Sequence, residues 1–320
     1  MITPAKSVTG DKAVMDFESG YGMSISGTDS GRASGVVPVA VFAHNDARNI
    51  QRCLRSFTSG APGLDLRFYV LCNGSTDRTA AIVAKYATVD LRVTLVDIAL
   101  GDKCNAWNIY VHELAPDADA HVFADGDCEL GSDAIPRILE TLHSYPQAGA
   151  VSTLPLSGRS IRRWRRELLE QHGLAGNLYA LSRPFMERLQ AQAIHLPVGF
   201  VGDDSLLGAI AAWNFDPNGN WDAKSRIAIC EDAGFRFDSI SYWSFDDLAR
   251  QLRRMARYSR RRYEMQMIGD ILRSEAIAGL PRDTSELYRQ RRHLCRLGWW
   301  GIWTPFDWIA LREVHSKTAA

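Results

Sequence analysis

None of the six cysteines (Cys53, Cys72, Cys104, Cys128, Cys230 and Cys295) forms a Cys-x-x-Cys pair. Their scatter argues against a zinc site or a disulfide framework and for free, buried thiols in a reducing cytoplasm. No uninterrupted apolar run reaches about 18 residues, so no membrane-spanning helix is expected. Residues Met1 to Gly35 lack the apolar stretch of a secretory signal. Net charge is also missing: the formal value is +0, which removes any global argument for nucleic acid. A nicotinamide-type Gly-x-Gly-x-x-Gly turn between a strand and a helix is not found; the nearest glycine pair, Gly20 and Gly22, sits in the polar leader.

What remains is a chain of 320 residues, 46% of them hydrophobic, enough for one large α/β domain or two smaller ones. The neutral total hides an asymmetry. Residues 251–320 hold 14 lysines and arginines against 7 acids, a net of +7, and residues 1–250 carry the compensating −7. A basic C-terminal quarter suits anionic lipid or a phosphorylated acceptor, or a solvated arginine-rich helix face.

Residues 1–35, rich in Gly, Ser, Thr and Asp, read as a flexible leader. Strands are then expected at 36–42, 67–72, 92–98 and 121–124, with helices near 49–58, 78–86 and 105–114 between them. That alternation predicts a mostly parallel central sheet with flanking helices, and such sheets bind ligands outside the carboxyl ends of their strands. The alternation fades after about Leu156, and 247–275 reads as one long arginine-rich helix.

Asp125-Gly126-Asp127 follows an apolar strand directly. Two carboxylates on one short turn offer hard oxygen ligands for Mn2+ or Mg2+, although acidic turns of this kind are common without a metal. His44-Asn45-Asp46 follows the first strand, and Cys72-Asn73-Gly74-Ser75-Thr76-Asp77 ends the second. Each reads as a polar turn with a helix cap, and the second also as a nucleotide-base or ribose pocket in which Asn73 supplies an amide. Gly101-Asp102-Lys103 and Asn105 are surface loop, or a cation placed beside a diphosphate.

In this order the pieces resemble the family-2 glycosyltransferases, which have the Rossmann-like GT-A fold. The segment His44 to Ser56, with Asn49-Ile50 and Cys53-Leu54, resembles the family's first motif, and Cys72 to Thr79 its second. Gly101-Asp102-Lys103-Cys104-Asn105-Ala106 loosely resembles the third, Asp125-Gly126-Asp127 the metal motif, and Asp203-Asp204 the later acidic pair. Gln251-Leu252-Arg253-Arg254-Met255 resembles a terminal box that usually ends in Trp. The chain departs from the family there and at Cys72 and Asn73, where acids are common.

The resemblance implies an inverting, non-processive transfer of sugar from a nucleotide-diphosphate donor, UDP first, to the hydroxyl of a glycan or lipid-linked acceptor. It implies Asp127 and Asp125 at the metal, and Asp204, beside Asp203, as general base. Ala43, His44, Asn45, Asn73, Ser75, Asp77, Lys103, Asp125 and Gly126 are implied at the donor, with Gln251 and Arg254 at the diphosphate or acceptor. The implied layout is a nucleotide-sugar half over 36–156, an acceptor half over 157–260 and a helical Trp/Arg-rich region over 261–320.

Rival readings lack their own marks. A sugar-nucleotide nucleotidyltransferase needs a glycine-rich loop after the first strand, where His44-Asn45-Asp46 stands. A non-catalytic binder of nucleotide sugars needs no base. Near the C-terminus Trp299, Trp300, Trp303, Phe306 and Trp308 crowd together behind Arg289, Arg291, Arg292 and Arg296. The cluster suits peripheral contact at the inner face of a membrane. It also suits a tail packed over the core, and the reading leans to the packed tail.

Overall fold

The computed structural model describes residues 35–158, 160–238, 245–299 and 301–316; the side chains of 245–250 and 302 lie outside the description. The expected leader, apart from Gly35, falls outside these residues.

Strand β1 (Val36–Ala43) opens the fold, followed by α1 (Ile50–Gly60), β2 (Asp65–Asn73), α2 (Thr79–Ala87), β3 (Val93–Ile98) and α3 (Lys103–Ile109). A π turn over Tyr110–Leu114 extends α3 and leads to β4 (Ala120–Asp125) and β5 (Cys128–Leu130). Next come α4 (Ala134–Ser144), β6 (Ala150–Pro155), α5 (Ile161–Gln171), β7 (Leu178–Ser182), α6 (Arg183–Ala191), α7 (Asp203–Ala212), α8 (Ala223–Arg226) and β8 (Ile227–Phe237). The chain closes with α9 (Phe245–Glu275), α10 (Thr284–Arg291) and α11 (Thr304–Ser316).

One eight-stranded sheet runs in the order β3-β2-β1-β4-β7-β6-β8-β5. Only β5 and β7 run against the common direction. The sheet is therefore mostly parallel, with the helical C-terminal region expected, in a GT-A arrangement. The alternation does not end at Leu156: β7 and β8 complete the same sheet.

Register places the site. The pairs Ala43↔Cys72, Asn73↔Ile98 and Phe42↔Asp125 bring the carboxyl ends of β1, β2, β3 and β4 to one edge. Because β7 is antiparallel to β4, with Ala124 opposite Leu178, its amino end reaches that edge too.

Period-two alternation divides the core. Val39, Val41 and Ala43 face the layer that holds Ile50, Leu54 and Phe57 of α1. Ala40 and Phe42 face the other, with Trp107, Phe123 and Tyr179. Ile50, Cys53, Leu54 and Phe57 recur at helical spacing, so α1 buries one stripe. Each such large apolar side chain contributes about 1.5–3 kcal/mol when fully buried.

Helix α9 is 31 residues long, about 46 Å at about 1.5 Å per residue. Its buried stripe is Tyr263, Met267, Ile268, Ile271 and Leu272. Helix α11 closes onto it through Ala310, Leu311 and Val314. The tail thus packs with small and aliphatic residues, and Trp299, Trp303 and Trp308 stay exposed, contrary to the packed arrangement expected of them. All six cysteines are free and buried, as expected. Among the described residues no helix is long and apolar enough to cross a membrane.

Buried His121 sets a pH dependence. Tyr110 Oη lies 2.9 Å from its Nδ1. Burial, with Arg183 adding, pushes its pKa down to about 4. The free value is about 6.5, so as pH falls the unfolded chain binds the proton first. His121 stabilisation is therefore complete above about pH 6.5 and is lost progressively towards pH 4, about 3 kcal/mol in all. His121→Gln, compared with wild type by urea unfolding across that range, is expected to flatten the stability curve by this amount. Parallel curves would show that the imidazole does not titrate as described.

Candidate active site

Three strand-end loops knit together at the carboxyl edge. Asn45 adopts φ 56°, a left-handed conformation that asparagine tolerates well. Its Oδ1 accepts from the backbone N–H of Thr76 at 2.8 Å and of Asp77 at 3.2 Å. In return, the Asn45 N–H donates to Ser75 Oγ at 3.1 Å and the Ala47 N–H donates to Asp77 Oδ2 at 3.1 Å. Asp77 Oδ1 also accepts from the Thr79 N–H, 2.9 Å away at the start of α2. The buried Asn73 amide donates to Ala43 O at 3.1 Å, and His44 Nδ1 lies 2.6 Å from Asn73 O. Gly74, at φ 59°, admits the third loop: a Cβ there would stand 2.4 Å from the Gly101 backbone. The structure therefore brings Ala43, His44, Asn45, Asn73, Ser75 and Asp77 together at this edge. The side-chain oxygens of Asn45 and Asp77 are engaged in shaping the loops.

The acidic turn sits beside this wall. Gly126 donates its N–H to Phe42 O at 2.7 Å. A Cβ at this glycine would lie 3.0 Å from the same oxygen and 3.1 Å from Ala43 Cβ, so glycine lets the turn tuck against β1 without pushing its neighbours back. Asp127 is left exposed, and Asp125 points inward. Lys103, in the first turn of α3, places Nζ 2.7 Å from Asp125 Oδ1, 3.3 Å from Asp203 Oδ2 and 3.2 Å from Gly176 O. Asn177 Nδ2 donates to the other Asp125 oxygen at 3.1 Å. Burial lowers the Lys103 pKa, but Asp125 and Asp203 outweigh it and hold the lysine pKa well above its ordinary value. Asp46 is pushed up to about 7 by burial, with the Asp127 and Asp125 charges adding and the His44 N–H opposing.

Asp203 and Asp204 form the first turn of α7, where the helix dipole favours acids. Asp204 Oδ1 accepts from Arg261 Nη2 at 2.8 Å and from the Ser205 N–H at 2.7 Å. Burial and then Asp203 raise its pKa, with Arg261 and Lys103 opposing. Gly176 lies against it: a Cβ there would be 3.0 Å from Asp204 Cβ. Two more acids fix the approach to α7. Fully buried Glu264 accepts from the Val201 N–H at 2.7 Å and from the Tyr288 hydroxyl. Asp102 caps α3 through Asn105 N–H at 2.7 Å and takes the Gly199 N–H at 2.9 Å.

The donor set fits a hard divalent cation. Ligand atoms of Asp125, Asp127 and Cys128 lie within 4.8 Å of one another. Burial raises the Cys128 thiol pKa well above normal, and the two carboxylates are the hard oxygen donors of the set. Carboxylate oxygens suit Mn2+ or Mg2+. By contrast, a cleft of 780 Å3 lined by Val36, Ala120, Gly149 and Phe215 opens at the amino ends of the strands, away from the paired acids.

The sequence model described as Glycosyl transferase family 2 matches residues 39–204, from β1 to the acidic pair on α7. The chain belongs to glycosyltransferase family 2. Among solved structures, the mannosyltransferase PcManGT from Pyrobaculum calidifontis, in complex with GDP-Man and Mn2+, aligns with a TM-score of 0.57 at 18% identity, over 88% of this chain and 75% of that one. S. aureus TarS 1-349 in complex with UDP-GlcNAc aligns at 14% identity with a TM-score of 0.48, over 88% and 91%. No match was found among curated protein sequences.

In this glycosyltransferase, Gln251 and Arg254 stand apart from the acid–lysine cluster in the described contacts. Both lie on α9, and Arg254 Nε donates to Tyr258 Oη at 2.7 Å. The α9 residue that reaches the acids is Arg261, two turns further on. Arg261, Asn177, Gly176 and Glu264 are absent from the sequence-based selection. A positive signal was present for Arg261 alone, in the run Arg260-Arg261-Arg262.

Proposed function

We propose that this glycosyltransferase moves a sugar from a nucleoside-diphosphate donor to an acceptor hydroxyl on a glycan or a lipid-linked sugar, with inversion, one transfer per encounter, and dependence on a divalent metal. The observation that carries the reading is the cluster at the carboxyl edge: exposed Asp127, the Asp125–Lys103–Asp203 ion network, and Asp204 held by Arg261.

Asp127, with Asp125, would hold Mn2+ or Mg2+. When bound, such an ion acts as a Lewis acid that neutralises the leaving diphosphate. Lys103 adds a fixed positive charge at the same place, held cationic by its two carboxylates. His44, Asn73, Ser75 and the stitched loops form the wall for the nucleoside. Asp204 accepts the proton of the incoming hydroxyl; its raised pKa makes it a better base than an ordinary exposed aspartate. A single displacement assisted by one base inverts the anomeric centre. Gln251 and Arg254, two to three turns before Arg261 on α9, would meet the diphosphate or the acceptor.

The family resemblance puts UDP first, and the GDP-Man complex of PcManGT brings GDP-sugars into the same test. A thermal-shift screen of UDP-, GDP- and TDP-sugars is expected to show stabilisation by one nucleotide class only when Mn2+ is present. At a ligand concentration of about 100 Kd the gain is about 2.7 kcal/mol. Equal shifts in EDTA would remove the metal from the donor site, and no shift with any nucleotide sugar would overturn the donor assignment.

A further inference from the structure

Five large apolar side chains stand in solvent within thirteen residues: Leu297 at 51% exposure, Trp299 at 87%, Trp303 at 36%, Trp308 at 54% and Ile309 at 40%. Core packing does not account for them, because α11 closes on α9 through Ala310, Leu311 and Val314 on its other face. An apolar cluster left on the surface marks a contact with something else.

The charges nearby say what. Both acids of α11 turn towards α9. Asp307, fully buried, lies 2.6 Å from Arg262 Nη2, and Glu313 lies 3.3 Å from Arg260 Nη1. The outward face keeps Arg312, whose guanidinium sits 5.6 Å over the Trp308 ring, and exposed Arg296 lies just before Trp299. Helix α9, on which α11 packs, carries exposed Arg253, Arg254 and Arg257 with exposed Leu252 and Tyr258, and residues 251–262 contain no acid. Around these rings Asp307 is withdrawn into the core and Glu313, though exposed, is paired with Arg260, so the outward charge beside the rings is basic. Indole rings favour the headgroup layer of a bilayer, arginine stems lie along apolar surface while their heads reach phosphate, and anionic lipid attracts the positive field.

We propose that this face docks peripherally on a membrane surface rich in anionic lipid, seating Trp299, Trp303 and Trp308 at headgroup level with Arg296 and Arg312 against lipid phosphates. The proposal stands independently of the donor and metal assignments. A contact made by interfacial rings and surface arginines is reversible and salt-dependent.

The test is co-sedimentation of the full chain with phosphatidylcholine vesicles, with and without phosphatidylglycerol. Binding is expected only to the anionic vesicles. It should be lost as salt rises towards 1 M, where the Debye length falls to about 3 Å. Trp299→Ala with Trp308→Ala should weaken partitioning about tenfold or more, and Arg296→Glu with Arg312→Glu should do the same. The melting temperature should hold, because these side chains are exposed. Should the double tryptophan variant melt early, Trp299→Ala alone, the most exposed ring, must still weaken binding several-fold. Protein left in the supernatant at low salt would overturn the proposal, as would undiminished binding of the tryptophan variants. Equal binding to neutral vesicles would overturn the anionic recognition. Lipid-free self-association that Trp299→Ala with Trp308→Ala abolishes, without vesicle binding, would assign the patch to a second copy of the chain instead.

Discussion

Asp127→Ala is expected to abolish sugar transfer in saturating Mn2+ while leaving the circular dichroism spectrum and melting temperature at wild-type values. The side chain is exposed at the tip of a turn whose backbone is held by Gly126 against Phe42, so little packing depends on it. On the proposed reading its contribution is chemical. A divalent ion is worth several kcal/mol of charge stabilisation in the transition state. At about 1.4 kcal/mol per tenfold, its loss lowers turnover by about 10³-fold or more. Asp125→Ala should behave differently. It removes the 2.7 Å partner of Lys103 and should lower stability as well as activity. EDTA-resistant turnover in Asp127→Ala would remove the metal role from this aspartate.

Asp204→Asn is expected to lower kcat by about 10²-fold or more, the usual size of a lost general base, with donor affinity nearly intact. The fold should tolerate the change. Burial and Asp203 already raise the Asp204 pKa, so the fold disfavours its charge, and the neutral isostere keeps the shape. In wild type, the acid limb of the kcat/KM profile should lie above the ordinary carboxylate range, with activity present above that pKa and lost as pH falls through it. Near-normal turnover in Asp204→Asn beside an inactive Asp203→Asn would move the base to Asp203.

The first four strands were legible because each motif is local. A strand, its turn and the next helix lie within about thirty residues, and apolar spacing marks them. Past Leu156 the code becomes topological. Asn177 and Gly176 matter because β7 runs antiparallel to β4, which delivers its amino end to the carboxyl edge; no local pattern announces that. Glu264 reads in sequence as one acid in an arginine-rich helix, and only the packing of α10 shows it buried between Val201 and Tyr288. The arginine that touches Asp204 is Arg261, two turns from the motif-matched Arg254, because register along a long helix is fixed by what it packs against. The tryptophans were misread for a related reason: composition gives their number but not which of them the packing of α11 and the segment before it leaves outside.

The turn Arg260–Glu264 of α9 distributes its side chains to separate parts of the molecule. Arg260 goes to Glu313, Arg261 to Asp204, Arg262 to Asp307 and Glu264 to Val201. The anchor of the C-terminal helix and the anchor of the acidic pair are thus the same five residues, on a rod with no joint between them. The arginines that hold α11 stand on either side of the guanidinium that holds Asp204. Cutting the chain ahead of α11 would therefore do more than shave a surface: it would take a carboxylate from each arginine flanking the one that steadies Asp204.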